Sequence, residues 1–275
     1  KTINKSVPTL RNFLSENHTE RGWVVKGLIP KGISMVNSQP KVGKTQFLLS
    51  VASCVVDGVD YGEMEVTKSP VLYVAMEGSK SDYAKRLTDL SITNQDDLIF
   101  IREHHTPELF SEVMRIARQK KVGMIVIDTL GLFDSKAISD KSGNDYITQI
   151  EGLQKYIKIT DDLDCAIVFV HHEGRMSERS PNQSGLYATG LVGTAEQIIL
   201  LTRDKEERFI ESMGRIGEFD IPKSELKIVK NTGTVYVGEA VTTVQAKDLT
   251  KEIMKFAESE NREVSHQEIL DGVTG

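Results

Sequence analysis

The sequence predicts an α/β fold: a mostly parallel sheet flanked by helices, with antiparallel additions at one edge. Three observations carry this. Apolar runs without polar alternation lie at 33–36, 71–76, 124–127, 166–170 and 198–201, and such runs suit strands buried on both faces. Amphipathic segments separate them, so strand and helix alternate. Beyond residue 201 the runs shorten and turn signals such as Asn231-Thr232-Gly233 appear, which suits antiparallel strands.

Taken in order, residues 1–22 are expected to form an N-terminal arm or linker, and residues 23–245 the main domain. Within it, the run 33–37 leads into a helix over 46–56. Thr106 is expected to cap a helix with Pro107 at its first position, because Leu109, Phe110, Val113, Ile116 and Ala117 then share one face. Lys120 and Lys121 end that helix favourably for its dipole, and Gly123 follows. Ile147, Ile150, Leu153 and Ile157 make a similar stripe over the next crossover. Short strands are expected at 209–213, 226–229 and 234–237. From Ala246 a helix begins, and a second short one is expected around 267–270. This 246–275 segment reads equally as a packed helical hairpin or as the first half of a helix-turn-helix.

Composition limits the function classes. The 275 residues suffice for one large domain and a small appendage. A formal net charge of −6 argues against a protein that coats a duplex, though not against contact through a few loops. No apolar run approaches ~18 residues, and the N-terminus shows neither a starting Met nor an apolar secretory segment. Cys54 and Cys165 stand in apolar surroundings and are expected to be a reduced pair in a cytoplasmic protein.

The most specific motif is Ser38-Gln39-Pro40-Lys41-Val42-Gly43-Lys44-Thr45, between a strand and a helix that opens at Gln46. Strand, loop and helix in that order make a P-loop, whose backbone N–H groups wrap the β-phosphate of a nucleotide. Lys44 then reaches the β- and γ-oxygens, and the Thr45 hydroxyl ligates Mg²⁺. Ser38 replaces the usual first Gly, and its Cβ is expected to restrict the turn into the loop. The metal needs a carboxylate from the end of a buried strand, which Asp128 supplies after 122–127. Many ATPases place the general base directly after that Asp, but here the residue is Thr129. Glu77, ending the run 71–76, is the candidate that polarises the attacking water.

These residues resemble the RecA/DnaB-type P-loop ATPases. The approach Trp23 to Thr45 and the segment Asp128-Thr129-Leu130-Gly131-Leu132-Phe133 are similar in particular to plasmid RepA-type hexameric replicative DNA helicases. The resemblance implies a RecA-like domain over about residues 23–238 and a γ-phosphate sensor at the end of the strand 166–170. His171 and His172 are both candidates; paired His also suits zinc, but no other ligand cluster lies near in sequence. It further implies an arginine finger given to a neighbouring subunit. Arg203 matches that position, with Arg208 as rival, and an ion pair of Arg203 with Asp204 or Glu206 is the plain alternative. The loops 134–145 and 173–185 would line a ring channel, where Lys136, Lys141, Arg175 and Arg179 contact single-stranded DNA phosphates. The expected partners are ATP with Mg²⁺, single-stranded DNA, other copies of the chain in a hexamer, and a primase or other replication protein; no membrane is involved. The alternatives are a RecA-like DNA-dependent ATPase of recombination or regulation without unwinding, and an ATP-gated binding module.

Overall fold

A computed structural model describes residues 9–15, 22–38, 40–134, 145–172 and 193–260. Its elements run α1 (Leu10–Ser15), β1 (Trp23–Val25), β2 (Ile29–Pro30), β3 (Gly32–Ser38), α2 (Lys44–Asp57), β4 (Val71–Ala75), α3 (Lys80–Asp89), β5 (Leu98–Arg102) and α4 (Leu109–Lys120). There follow β6 (Met124–Asp128), α5 (Leu130–Phe133), α6 (Asp145–Leu163), β7 (Ala166–His172), β8 (Gln197–Asp204), β9 (Glu207–Gly214), β10 (Ser224–Ile228), β11 (Val235–Ala240) and α7 (Val241–Glu260).

Among the described residues nine strands form one sheet, in the order β11-β10-β9-β8-β3-β7-β6-β4-β5. From β8 through β5 every pairing is parallel, and β8 to β11 are joined by antiparallel pairings. The α/β class and the antiparallel edge are therefore as the sequence predicts. Strand alternation divides the core in two. Val71, Tyr73 and Ala75 join α2 and Tyr83 of α3 on one face, whereas Leu72 and Val74 join α4, α5 and α6 on the other. The central strands are buried along their whole length, which explains their unalternating sequence.

Several local expectations shift. Helix α4 opens at Leu109 rather than at Pro107; residues 107–108 form a turn closed by Leu109 N–H donating to the Thr106 carbonyl at 3.2 Å, and Thr106 caps nothing with its side chain. Its left-handed C-cap is Lys121 (φ 51°), not glycine. The half-buried edge strand β5 adds to the strands that the apolar runs indicate. Residues 10–15 of the expected arm form the short helix α1. Helix α7 begins at Val241, so the boundary expected between 245 and 246 falls inside a continuous helix. The helix expected around 267–270, and with it the helix-turn-helix alternative, lies outside the described residues.

Candidate functional site

The loop after β3, the residues after β4 and the start of α2 line a cleft of about 580 Å³, and the end of β6 lines a smaller one of about 190 Å³ that shares Lys44, Thr45 and Glu77 with it. Such a crevice beyond parallel strand ends is where open α/β sheets bind ligands. The loop from Ser38 to α2 makes the floor. It turns through left-handed backbone at Lys41 (φ 66°) and Gly43 (φ 112°), and Gly43 is the residue just before α2. An L side chain at Gly43 is strained at that φ, so glycine is required there for backbone N–H groups to ring the helix start.

Ser38 does not restrict the loop, contrary to the sequence expectation. It is the last residue of β3, buried and paired with His172 and Leu201, and the left-handed turns come after it. Its Oγ instead accepts a hydrogen bond from Lys44 Nζ at 2.8 Å, and its carbonyl accepts a second at 3.2 Å. Lys44 is only 6% exposed, which fixes its ammonium between strand end and loop. Gln39 lies outside the described residues; Pro40, Lys41, Val42, Gly43, Lys44, Thr45 and Gln46 all line the larger cleft.

Thr45 and Asp128 meet where α2 starts beside the end of β6. Thr45 Oγ1 donates to Asp128 Oδ2 at 2.9 Å, and the Tyr73 hydroxyl donates to the same oxygen at 2.9 Å. Tyr73 is fully buried; burial, then the neighbouring Asp128 charge, raises its pKa well above the ordinary tyrosine value. Its hydroxyl therefore stays a donor to the carboxylate. Tyr83 of α3 is raised by the same two causes, opposed by a hydrogen bond with Thr45. Tyr73, Tyr83 and Phe100 pack with ring centroids 4.9–6.3 Å apart and hold α3 beside Asp128. One hydroxyl and one carboxylate fit Mg²⁺, which fills the rest of its shell with water and phosphate oxygens.

Glu77 follows β4 and lines both clefts, together with Lys44 and Thr45. The turn after it is fixed from β5, where Arg102 Nε donates to the Gly78 carbonyl at 2.8 Å. Gly78 has φ 79°, and a Cβ there would come within 3.0 Å of the Tyr83 ring, so only glycine lets α3 close against the site. Strand register places β4 beside β6, so Glu77 and Asp128 are presented from neighbouring strand ends.

The two histidines separate by alternation. His172 pairs with Ser38, at a register position on the α2 side, with Val168 and Val170. His171 pairs with Asn37, half-buried on the α6 side with Ile167 and Phe169. Asn37 is 3% exposed, and among the described residues its Oδ1 has no hydrogen-bond partner.

Arg203, next to last in β8, forms an ion pair with Glu206 at 3.1 Å, and its Nε donates to the Lys205 carbonyl at 2.6 Å. It is absent from the residues lining the clefts, whereas Arg208, its cross-strand partner on β9, lines the larger one. Lys136, Lys141, Arg175 and Arg179 lie outside the described residues. Tyr73, Arg86 and Gly233 are not among the candidates read from sequence, where Gly233 stands only in a turn signal. Arg86 of α3 donates to Gln46 Oε1 at 3.1 Å, and Gln46 Nε2 donates to the Gly233 carbonyl at 2.9 Å, joining α3 to the β10–β11 turn across the cleft. A lone hydroxyl in the buried run of β4 was the one available sign of Tyr73.

Fold and site together define a RecA-like P-loop ATPase domain. The AAA domain family matches residues 5–178, and the chain belongs to that family. Among solved structures it is similar to the ATPase domain of G40P, at 18% identity and a TM-score of 0.55, covering 76% of this chain and 85% of that one. No curated protein matches the sequence. No helix among the described residues is long and apolar enough to cross a membrane.

Proposed function

We propose that this chain is the motor domain of a ring-forming DNA helicase, which hydrolyses ATP and translocates on single-stranded DNA during replication. The observation that carries this is the position of Glu77. A carboxylate at the end of β4, with Thr129 after Asp128, is the base arrangement of the RecA-type motors that the sequence resembles. In that role the loop N–H groups and Lys44 hold the β- and γ-phosphates. Glu77 orients a water and takes its proton as the water oxygen bonds to the γ-phosphorus and the bond to the bridging oxygen breaks. Thr45 and Asp128 would hold Mg²⁺, which would neutralise charge on the phosphates. The γ-phosphate sensor is assigned to the end of β7, at His171 or His172, which pair with Asn37 and Ser38 beside the P-loop. Arg203, engaged at a hairpin tip and not in its own cleft, is assigned to the neighbouring subunit's site.

The remaining parts of the proposal are a homohexamer, channel loops carrying Lys136, Lys141, Arg175 and Arg179, and a primase or other replication protein as partner. The likeness of the P-loop, Asp128 and Arg203 segments to RepA-type helicases supports them. Electron microscopy, with ATPase and forked-duplex assays, tests the whole. Rings whose ATPase rises with single-stranded DNA and which unwind the fork are expected. DNA-stimulated hydrolysis without unwinding would move the chain to a recombination or regulatory ATPase, and negligible turnover to a binding module.

A further inference from the structure

Arg208 is far from the P-loop in sequence and central to it in space. Its Nε donates to the Val42 carbonyl at 3.0 Å, across 166 residues of chain. A Cβ built on Gly43 would lie 3.8 Å from the same nitrogen, so the guanidinium rests against the tightest turn of the loop. The residue is half-buried, and among the described residues it forms no ion pair. Among the described residues, the cleft it lines also carries Lys41, Lys44 and Arg86 against the single carboxylate of Glu77. Four cations facing one anion in a partly enclosed space repel one another and favour a polyanionic ligand.

The partner strand sharpens the contrast. Arg203 and Arg208 are directly opposite in the β8–β9 ladder, where two like charges would destabilise the pair. They are drawn apart: Arg203 toward Glu206 and the Lys205 carbonyl at the hairpin tip, Arg208 toward Val42.

We infer that Arg208 is a positioning and phosphate-contacting residue of the chain's own nucleotide site. Its Nε fixes the Val42 carbonyl and so the loop, and the rest of the guanidinium meets a phosphate oxygen of the nucleotide bound in the same subunit. One hairpin thus serves two sites, its own through Arg208 and a neighbour's through Arg203. This role rests on the ATPase function proposed above and removes Arg208 as the alternative finger.

Equilibrium titration with mant-labelled ATP tests it on the full chain. Arg208→Ala should bind about tenfold more weakly than wild type, as expected for loss of a charge-assisted contact. Arg208→Lys should fall between, since it keeps the charge and loses the planar fork. Thermal unfolding checks that each variant folds; if Arg208→Ala does not, the lysine variant decides. Subunit mixing separates cis from trans. At subsaturating ATP, Arg208→Ala mixed with Glu77→Gln should show no ATPase beyond that of the two variants alone, because every site still lacks one of two residues from the same chain. Arg203→Ala mixed with Glu77→Gln should recover part. Wild-type affinity in both Arg208 variants, or recovery in the Arg208→Ala mixture, overturns the assignment. Failure of the wild-type chain itself to bind the nucleotide removes the ATPase reading and this role with it.

Discussion

The two flanks of the P-loop are built differently. On the β4–β6 side, the polar groups of the site come from the parallel strands and the start of α2 and are tied to one another: Tyr73 and Thr45 to Asp128, Arg102 to the turn after Glu77. On the β8–β11 side, antiparallel strands return from the far end of the chain, and their contacts to the loop are Arg208 to Val42, Gln46 to Gly233 and the Val235 N–H to Ser50 Oγ at 2.9 Å. The first flank frames the residues proposed to hold the metal and to act as the base. The second is a hairpin system braced on the loop helix, with Arg203 at its free tip. In the proposed motor, a split of this kind would let one side perform the chemistry and the other reach a neighbouring subunit.

The largest expected effect breaks that split most sharply. Arg203→Ala should bind ATP normally yet lose on the order of 10³ in turnover, since charge developing on the transferred phosphoryl needs a second cation. Normal turnover in that variant would reduce Arg203 to a hairpin ion pair. On the other flank, Tyr73→Phe removes one of the two hydroxyls that orient Asp128. The Mg²⁺ concentration for half-maximal ATPase should rise about tenfold, in line with loss of an outer-shell partner. An unchanged Mg²⁺ titration would take Asp128 out of the metal shell.

Smaller effects lie away from the nucleotide. Replacing Arg175 and Arg179 together should lower the slope of log affinity for single-stranded DNA against log salt by roughly 1.4, from two lost phosphate contacts, with basal ATPase retained. An unaltered slope would remove that loop from the channel. The smallest effect concerns the frame itself. Asp57, at the end of α2, accepts hydrogen bonds from the N–H of Thr93, the N–H of Asn94 and the Asn94 side chain, at 2.7–3.1 Å. Burial opposes its charge, but these bonds outweigh it and lower the carboxyl pKa. The stabilisation is therefore fully present above the ordinary aspartate range, near ~4, and is lost as pH falls through the lowered folded value. Asp57→Asn should cost under about 1 kcal/mol at pH 7, and denaturant titrations at pH 7 and pH 3 should show the difference shrinking with acid. A difference independent of pH would assign it to packing instead.

Legibility followed the same division. The buried parallel strands, the P-loop, Asp128 and Glu77 are written in short contiguous patterns, because a strand buried on both faces needs continuous apolar residues and its exit then exposes whichever residue follows. Ser38 was misjudged as a turn residue because sequence does not say where the strand stops; the strand continues through it and the left-handed geometry falls on Lys41 and Gly43. Arg86 reads in sequence as a solvated helix charge, and Arg208 as one member of a charged hairpin. Their roles depend on residues 40 and 166 positions away, and no local period encodes such a distance.

Glu77→Gln tests the central claim most directly, because it keeps the shape of the site and removes only the proton acceptor. With mant-labelled ATP binding and single-turnover hydrolysis measured on the same preparation, affinity should match wild type while the hydrolysis rate falls on the order of 10² or more. Hydrolysis at the wild-type rate would contradict the account and place the water-activating group elsewhere.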